Sequence, residues 1–383
     1  MPPFAPSPSP SRVLMTTDAV GGVWNFSLEL ARALRPRGVE FLLAVLGPLP
    51  CDRQRAEAAA AGNIQLRTPG RAFALEWMAD PWDDVARAGE WLLELEEAFR
   101  PDVVHLNGFC HGSLPWSVPA LVAAHSDVFS WWRAVHGGPA PASWTRYRAE
   151  VKAGLRGADL VTAPTRAMLE ALEECYLPVP ENGGNAGRVV PNARDAAFFA
   201  PKPKRELVLA AGRAWDRAKN MRLLEAAADG LSWPVFLAGA TESPDGESVE
   251  FANLDCLGPL PPAELAHWMG VASIFTLPAR YEPFGLAALE AGLAGCALVL
   301  GDIPSLREVW GDAALFVSPD EPEALSAALL RLIADAPLRA RMAARANRRA
   351  LSFTPRRLGD GYLECYQSLL ARTGRPVELD ALP

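Results

Sequence analysis

Residues 12 to 47 read RVLMTTDAVGGVWNFSLELARALRPRGVEFLLAVLG. A short apolar run is followed by a turn marked by Gly21 and Gly22, an apolar-periodic helix that stops at Gly38, and a second apolar run. The same order recurs along the chain. "PDVVHLNG", "PALVAAHSD" and "ADLVTAPT" read as further strands, the last followed by the helix "RAMLEALEECY". The loop-like "LPVPENGGNAG" and the strand-like "RVVPNARDAAFFAPKPK" lead to a second cycle: "ELVLAAGR", "PVFLAGA", "ANLDCLGPL", "ASIFTLPAR", "CALVLGD" and "ALFVSP". Strands alternating with helices imply a parallel sheet covered on both faces. The expected architecture is α/β, with two doubly wound, Rossmann-like domains facing across a cleft and ligands at the carboxyl ends of their strands.

The expected divisions are a disordered Pro/Ser tail over residues 1–10, a first domain over 11–200 and a second over 201–352. Residues 353–383 carry the amphipathic helix "PRRLGDGYLECYQSLLART", expected to pack back toward the first domain. A length of 383 residues suits two domains, each with its own core. The net charge of -8 and the lack of any long basic run argue against a nucleic-acid partner and against anionic membranes. Six cysteines without a C-x-x-C pair or zinc-like spacing read mostly as small buried hydrophobes in a reducing cytoplasm. The start "MPPFAPSPSPS" has neither the basic nor the apolar part of a signal peptide, and no run approaches the roughly 20 apolar residues of a membrane span. Cytoplasmic location is the expectation.

The chemistry concentrates in "RYEPFGLAALEAG", residues 280 to 292, where Glu282 and Glu290 stand eight positions apart. Glu282 falls at the carboxyl end of the strand "ASIFTLPAR", and a helix starts just after Pro283. The first-turn amides of Phe284, Gly285 and Leu286 would then point into the cleft, where they can donate to an anion or a hydroxyl. The two acids are too far apart to share a proton and read as two hydroxyl acceptors with phosphate-sized space between them. The alternative has Glu282 satisfying the helix N-terminus and Glu290 solvated. "GRAWDRAKN" adds Arg213 and Lys219 after the first strand of the second domain, a fork and a point charge suited to a diphosphate.

With "DAVGGVWNFSLELARAL" in front, these segments resemble the retaining glycosyltransferases of family four, the group 1 glycosyl transferases of GT-B fold. The resemblance runs from Arg12 to about Leu370. It implies that Glu290 holds the ribose hydroxyls of a nucleotide sugar and that Glu282 contacts the donor sugar, helped by the amides of Phe284 to Leu286. Arg213 and Lys219 grip the diphosphate, and backbone near Leu260 touches the base. The loop of Gly21 and Gly22 lies over the donor phosphate and the acceptor; it lacks the G-x-G-x-x-G spacing of a dinucleotide site, which disfavours a nicotinamide oxidoreductase. His125 contacts the sugar near the reacting carbon. Ser126 separates it from Asp127, a departure from the usual His-Asp pair that leaves Asp127 without an assigned role.

His105 and Asn107, at another strand end, and Trp132 and Arg133, in "SWWRAVHGG", are acceptor-side candidates, with a structural role as the alternative for each. "RYRAEVKAGLR" reads as a solvated helix face. The expected reaction is retaining transfer of a hexose from a nucleotide diphosphate sugar, UDP-glucose first and GDP-mannose next, to a hydroxyl of a soluble or glycan acceptor. The donor is a substrate, so no cofactor is expected. Without an Asp-x-Asp pair no obligatory metal is expected either. The competing readings are a nucleotide-sugar epimerase on the same fold and a non-catalytic nucleotide-sugar-binding protein.

Overall fold

The computed structural model describes residues 9–176, 187–243, 246 and 248–373. Most of the Pro/Ser tail and nearly all of "LPVPENGGNAG" lie outside the described residues. The first half forms β1 (Arg12–Asp18), α1 (Gly22–Leu34), β2 (Glu40–Leu46), α2 (Asp52–Ala61), β3 (Ile64–Arg67), α3 (Trp82–Phe99), β4 (Val103–Leu106), β5 (Ala120–Ala123), α4 (Val128–His136), α5 (Thr145–Gly157), β6 (Leu160–Ala163), α6 (Arg166–Tyr176) and β7 (Arg188–Val189). These strands build one parallel sheet in the order β3-β2-β1-β4-β5-β6-β7.

The second half forms β8 (Arg205–Ala211), α7 (Met221–Ala228), β9 (Val235–Ala238), β10 (Asp255–Gly258), α8 (Pro262–Val271), β11 (Ala272–Leu277), α9 (Leu286–Leu293), β12 (Ala297–Gly301), α10 (Pro304–Trp310), β13 (Leu315–Val317), α11 (Pro322–Ala334), α12 (Ala336–Ala350) and α13 (Pro355–Thr373). Its parallel sheet has the order β10-β9-β8-β11-β12-β13. Chain direction across each sheet reverses once, between β1 and β4 in the first and between β8 and β11 in the second. Ligands of open α/β sheets bind at such switch points. The loops after β1, β4, β8 and β11 therefore surround the switch points.

Burial explains the strand sequences. The interior of β1 and all of β11 are buried, as their continuous apolar runs require, whereas the edge strand β3 alternates half-buried and exposed residues. "RVVPNARDAAFFAPKPK" gives only the two-residue β7, because Pro191 has no amide to continue the ladder. Beyond it the chain crosses to the second domain with a single 3-10 turn, Ala196–Phe198. The helix face in "RYRAEVKAGLR" is only partly solvated: Arg148 donates to the Cys175 carbonyl at 2.9 and 3.1 Å, tying α5 to the end of α6. Four cysteines are buried, and Cys51 and Cys256 are exposed.

Helix α13 follows the second domain in sequence but belongs to the core of the first. Leu358, Tyr362, Leu363, Tyr366 and Leu369 pack with Phe26, Leu30 and Leu34 of α1. Gly359 allows the approach: a Cβ there would stand 3.1 Å from the Ala33 Cβ. His105 on β4 lies beneath this helix, fully buried, with Nδ1 2.6 Å from the Tyr366 hydroxyl and its ring stacked on Tyr362 at 5.0 Å. It fastens α13 to the sheet and does not line an acceptor pocket.

Tyr366→Ala is expected to cost about 3–5 kcal/mol by removing a fully buried ring. Leu351→Ala, at a half-exposed side chain, is expected to stay within about 0.5 kcal/mol. Urea unfolding of the two variants checks the difference.

Candidate active site

An ion pair joins the loop after β8 to the loop after β11. Lys219 Nζ donates to Glu282 Oε2 at 2.6 Å, with each side chain 15% exposed. Glu282 Oε1 accepts the Gly285 amide at 3.0 Å, and its backbone carbonyl accepts the Ser305 hydroxyl at 2.6 Å. Gly285 is the N-cap of α9 with φ 88°, a left-handed conformation that favours glycine. A Cβ there would also meet Leu306 at 3.1 Å. Its amide is therefore engaged by Glu282 and not free in the cleft. Phe284 is buried against Phe353, and the Leu286 side chain reaches the first domain, 3.4 Å from where a Gly22 Cβ would be.

Arg213, on the same loop as Lys219, pairs with Asp216 at 3.0 Å while its own side chain stays 43% exposed. Asp216 is buried and also accepts the Ala218 amide and the Trp131 indole N–H of α4, a contact between domains. Across the cleft from Arg213 stands Asp18, at the end of β1. Burial raises the Asp18 carboxyl above its usual range, while the Val20 amide and then Arg213 draw it back down.

On the first domain, His125 follows β5 and its Nε2 lies 2.8 Å from Asn107 Oδ1. That oxygen can only accept, since Asn107 Nδ2 donates to the Thr16 carbonyl at 2.6 Å, so the His125 proton sits on Nε2. Burial lowers the His125 pKa to about 4, which makes it a neutral imidazole near pH 7. Asp127 is the N-cap of α4, accepting the Phe129 and Ser130 amides and the Tyr176 hydroxyl, which anchors the helix and leaves Ser126 exposed beside it. Arg133 is paired with Glu174 of α6, and Trp132 stacks on His136 at 4.2 Å. Arg133 thus makes an exposed tie from α4 to α6, and Trp132 stacks within its own helix.

The larger cavity, about 250 Å³, brings together Gly21 and Trp24 of the first domain with Leu260, Pro262 and Glu290 of the second. Glu290 is not solvated. It is buried and ion-paired to Arg194, whose Nε is 2.8 Å from Glu290 Oε1. A smaller cavity of about 60 Å³ is lined by Asp18, Phe73, Glu76, Trp77 and Asn107. Sequence reasoning overlooked Asp18, which opens the quoted "DAVGGVWNFSLELARAL" but was passed over for Gly21 and Gly22, and Arg194, which lies nearly a hundred residues before Glu290. Among the described residues no group of three or more His, Cys, Asp or Glu could hold a metal ion. No helix among them is long and apolar enough to cross a membrane.

Two parallel-sheet domains that meet at the switch point of each sheet have the GT-B architecture. Residues 21–192 match the glycosyl transferase 4-like domain, and residues 192–349 match the glycosyl transferases group 1. The D-inositol 3-phosphate glycosyltransferase of Frankia alni is 28% identical over 95% of this chain and 98% of its own. The phosphatidyl-myo-inositol mannosyltransferase of Mycolicibacterium smegmatis is 26% identical over 87% and 86%. In fold, the sucrose-phosphate synthase of Thermosynechococcus elongatus superposes with a TM-score of 0.76 at 17% identity over 94% of this chain and 99% of that one. Anabaena HepE, solved with UDP-glucose, gives 0.73 at 17% identity over 94% and 100%. The chain belongs to the group 1, family-four glycosyltransferases and is a transferase enzyme.

His105 and His125 have folded pKa values near 3 and 4, both lowered by burial from 6.5. The unfolded chain therefore binds protons below pH 6.5 that the native state refuses, so their contribution destabilises the fold as pH falls toward about 4. Burial raises the carboxyls of Asp18, Glu29, Asp127 and Glu290, which act in the opposite sense. The His125 share is thus read by difference: between pH 7 and 5 wild type is expected to lose on the order of 1 kcal/mol more than His125→Asn, measured by denaturant unfolding.

Proposed function

We propose that this enzyme transfers a hexose from a nucleotide diphosphate sugar to an acceptor hydroxyl with retention at the anomeric carbon, UDP-glucose being the favoured donor and GDP-mannose the next. The observation that carries the reading is the grouping of Glu290 with Leu260 and Gly21 in one cavity, beside the loops that hold Lys219, Arg213 and Glu282. A ribose diol fits the buried carboxylate of Glu290, and a diphosphate fits the two cations. The relatives named for inositol acceptors and the neighbour solved with UDP-glucose support a sugar nucleotide on one side and a polyhydroxylated acceptor on the other.

The chemistry follows from charge. Leaving diphosphate gathers negative charge as the bond between the anomeric carbon and the phosphate oxygen breaks, and Lys219 and Arg213 stabilise it. Lys219 exchanges Glu282 for phosphate, which releases Glu282 to accept a hydroxyl of the donor sugar. Both Glu282 oxygens are tied, by Lys219 and by the Gly285 amide, so the carboxylate suits binding better than nucleophilic attack. The departing phosphate oxygen takes the acceptor proton on the same face, which accounts for retention. Neutral His125, locked by Asn107, presents its ring near the reacting sugar as a hydrogen-bonding group. The two cations supply the charge neutralisation for which other transferases use a metal. Asp18, Asn107 and Trp77 in the smaller cavity are the groups offered to the acceptor.

Thermal shift and hydrolysis against UDP, GDP, ADP and TDP sugars test the donor. One nucleotide family is expected to stabilise the protein, with affinity lowered on the order of tenfold to a hundredfold in Glu290→Ala and Arg213→Ala. Absence of any shift across the panel would sink the donor reading. Lys219→Met is expected to lower kcat about a hundredfold to a thousandfold, and proton NMR of the first product is expected to show the donor's anomeric configuration. Turnover is expected to survive a chelator.

A further inference from the structure

Arg194 occupies the crossing between the two domains, just after β7, and touches an acid of each. Its Nη1 donates to Glu29 Oε2 of α1 at 3.3 Å, and its Nε lies 2.8 Å from Glu290 Oε1 of α9. The three side chains are 13%, 4% and 9% exposed, and the guanidinium stands over the Phe199 ring at 5.2 Å. Arg194 and Glu290 both line the larger cavity.

Two nearly dry carboxylates against one cation leave an excess of one negative charge. Burial raises both carboxyls above their usual range, and Arg194 is the strongest opposing influence on each. Glu29 also feels Arg32, which lowers it, and Asp195, which raises it; for Glu290 the opposing charge comes from Arg194. A carboxylate must be charged and correctly turned to accept both hydroxyls of a diol. Lysine could supply the charge at this position but not the two-sided fork that reaches α1 and α9 together.

We propose that Arg194 is a positioning residue of the donor site, fixing the Glu290 carboxylate for the ribose diol while Glu29 holds the other side of the guanidinium. The proposal rests on the reading of Glu290 as the ribose acceptor. It differs from that reading in locating the control of donor affinity on the interdomain crossing.

The test is calorimetric binding of UDP and of GDP to the full chain from pH 5.5 to 8.5, in wild type, Arg194→Met, Arg194→Lys and Glu290→Gln. Arg194→Met is expected to weaken binding of the preferred nucleotide on the order of tenfold to a hundredfold near pH 6, with part of the loss recovered toward pH 8.5 as Glu290 ionises. Arg194→Lys is expected to keep a constant affinity ratio to wild type across the pH range, with part of the affinity lost. It keeps the test usable if Arg194→Met does not fold, because a Lys variant whose affinity relative to wild type falls toward pH 6 would contradict the charge argument. Equal affinity of Arg194→Met and wild type at all pH values would overturn the proposal, as would a loss that does not change with pH. If Glu290→Gln binds as wild type, the ribose assignment itself fails. If neither nucleotide binds wild type, the donor reading falls and the proposal with it.

Discussion

The ion pair of Lys219 with Glu282 joins the loops that leave β8 and β11, the two strands between which the second sheet reverses its direction. Everything around it follows from the need to keep these charges together in a half-dry cleft. The Gly285 amide completes the coordination of Glu282, which in turn requires the left-handed backbone at Gly285. Ser305 of α10 holds the Glu282 backbone from behind, and Asn220 ties the Lys219 loop to the carbonyls of Pro278 and Pro319. Removing either partner would leave the other charge uncompensated in the cleft, so the two side chains are held there as a pair.

Contacts between the domains are of two kinds with different physical consequences. Those around the cleft are polar. Glu308 of α10 accepts the Arg166 and Ala167 amides at the start of α6, Thr165 donates to the Pro283 carbonyl, and the Tyr281 hydroxyl reaches the Asp127 amide and Ser130 of α4. Each of these is a hydrogen bond that water can also satisfy. The contact of α13 with α1 is apolar and buried, so it persists.

The architecture was legible because it rests on local patterns: buried strand interiors, glycine at turns and helix ends, and alternation of the two periods. Gly21 and Glu290, read from local motifs, and Leu260, implied by the resemblance, line one cavity. What escaped was decided by partners distant in sequence. Glu290 could be read as a solvated helix position because its cation comes from the linker, and His105 could be read as a cleft residue because its cover, α13, arrives after some 250 further residues. The short β7 followed from Pro191, a local signal outweighed by the apolar residues around it. Helices α2 and α3 and strand β3 were missed for a related reason: α2 is rich in alanine and charge with little sidedness, and β3 is a four-residue edge.

Because α13 is fixed to the first domain while α12 belongs to the second, the chain crosses between domains twice, once after β7 and once between α12 and α13. Any opening of the cleft must be absorbed by backbone rotation at these two crossings. The first carries Arg194, whose guanidinium faces both α1 and α9. The second carries Phe353, packed edge-on to Phe284 at the head of α9, with its carbonyl 3.4 Å from the Arg194 amide that donates to it. The two crossings are thus hydrogen-bonded to each other and both rest against the helix that bears Glu282's cap and Glu290. Arg194 and Phe353 thus bring both crossings into direct contact with α9 and the residue at its head.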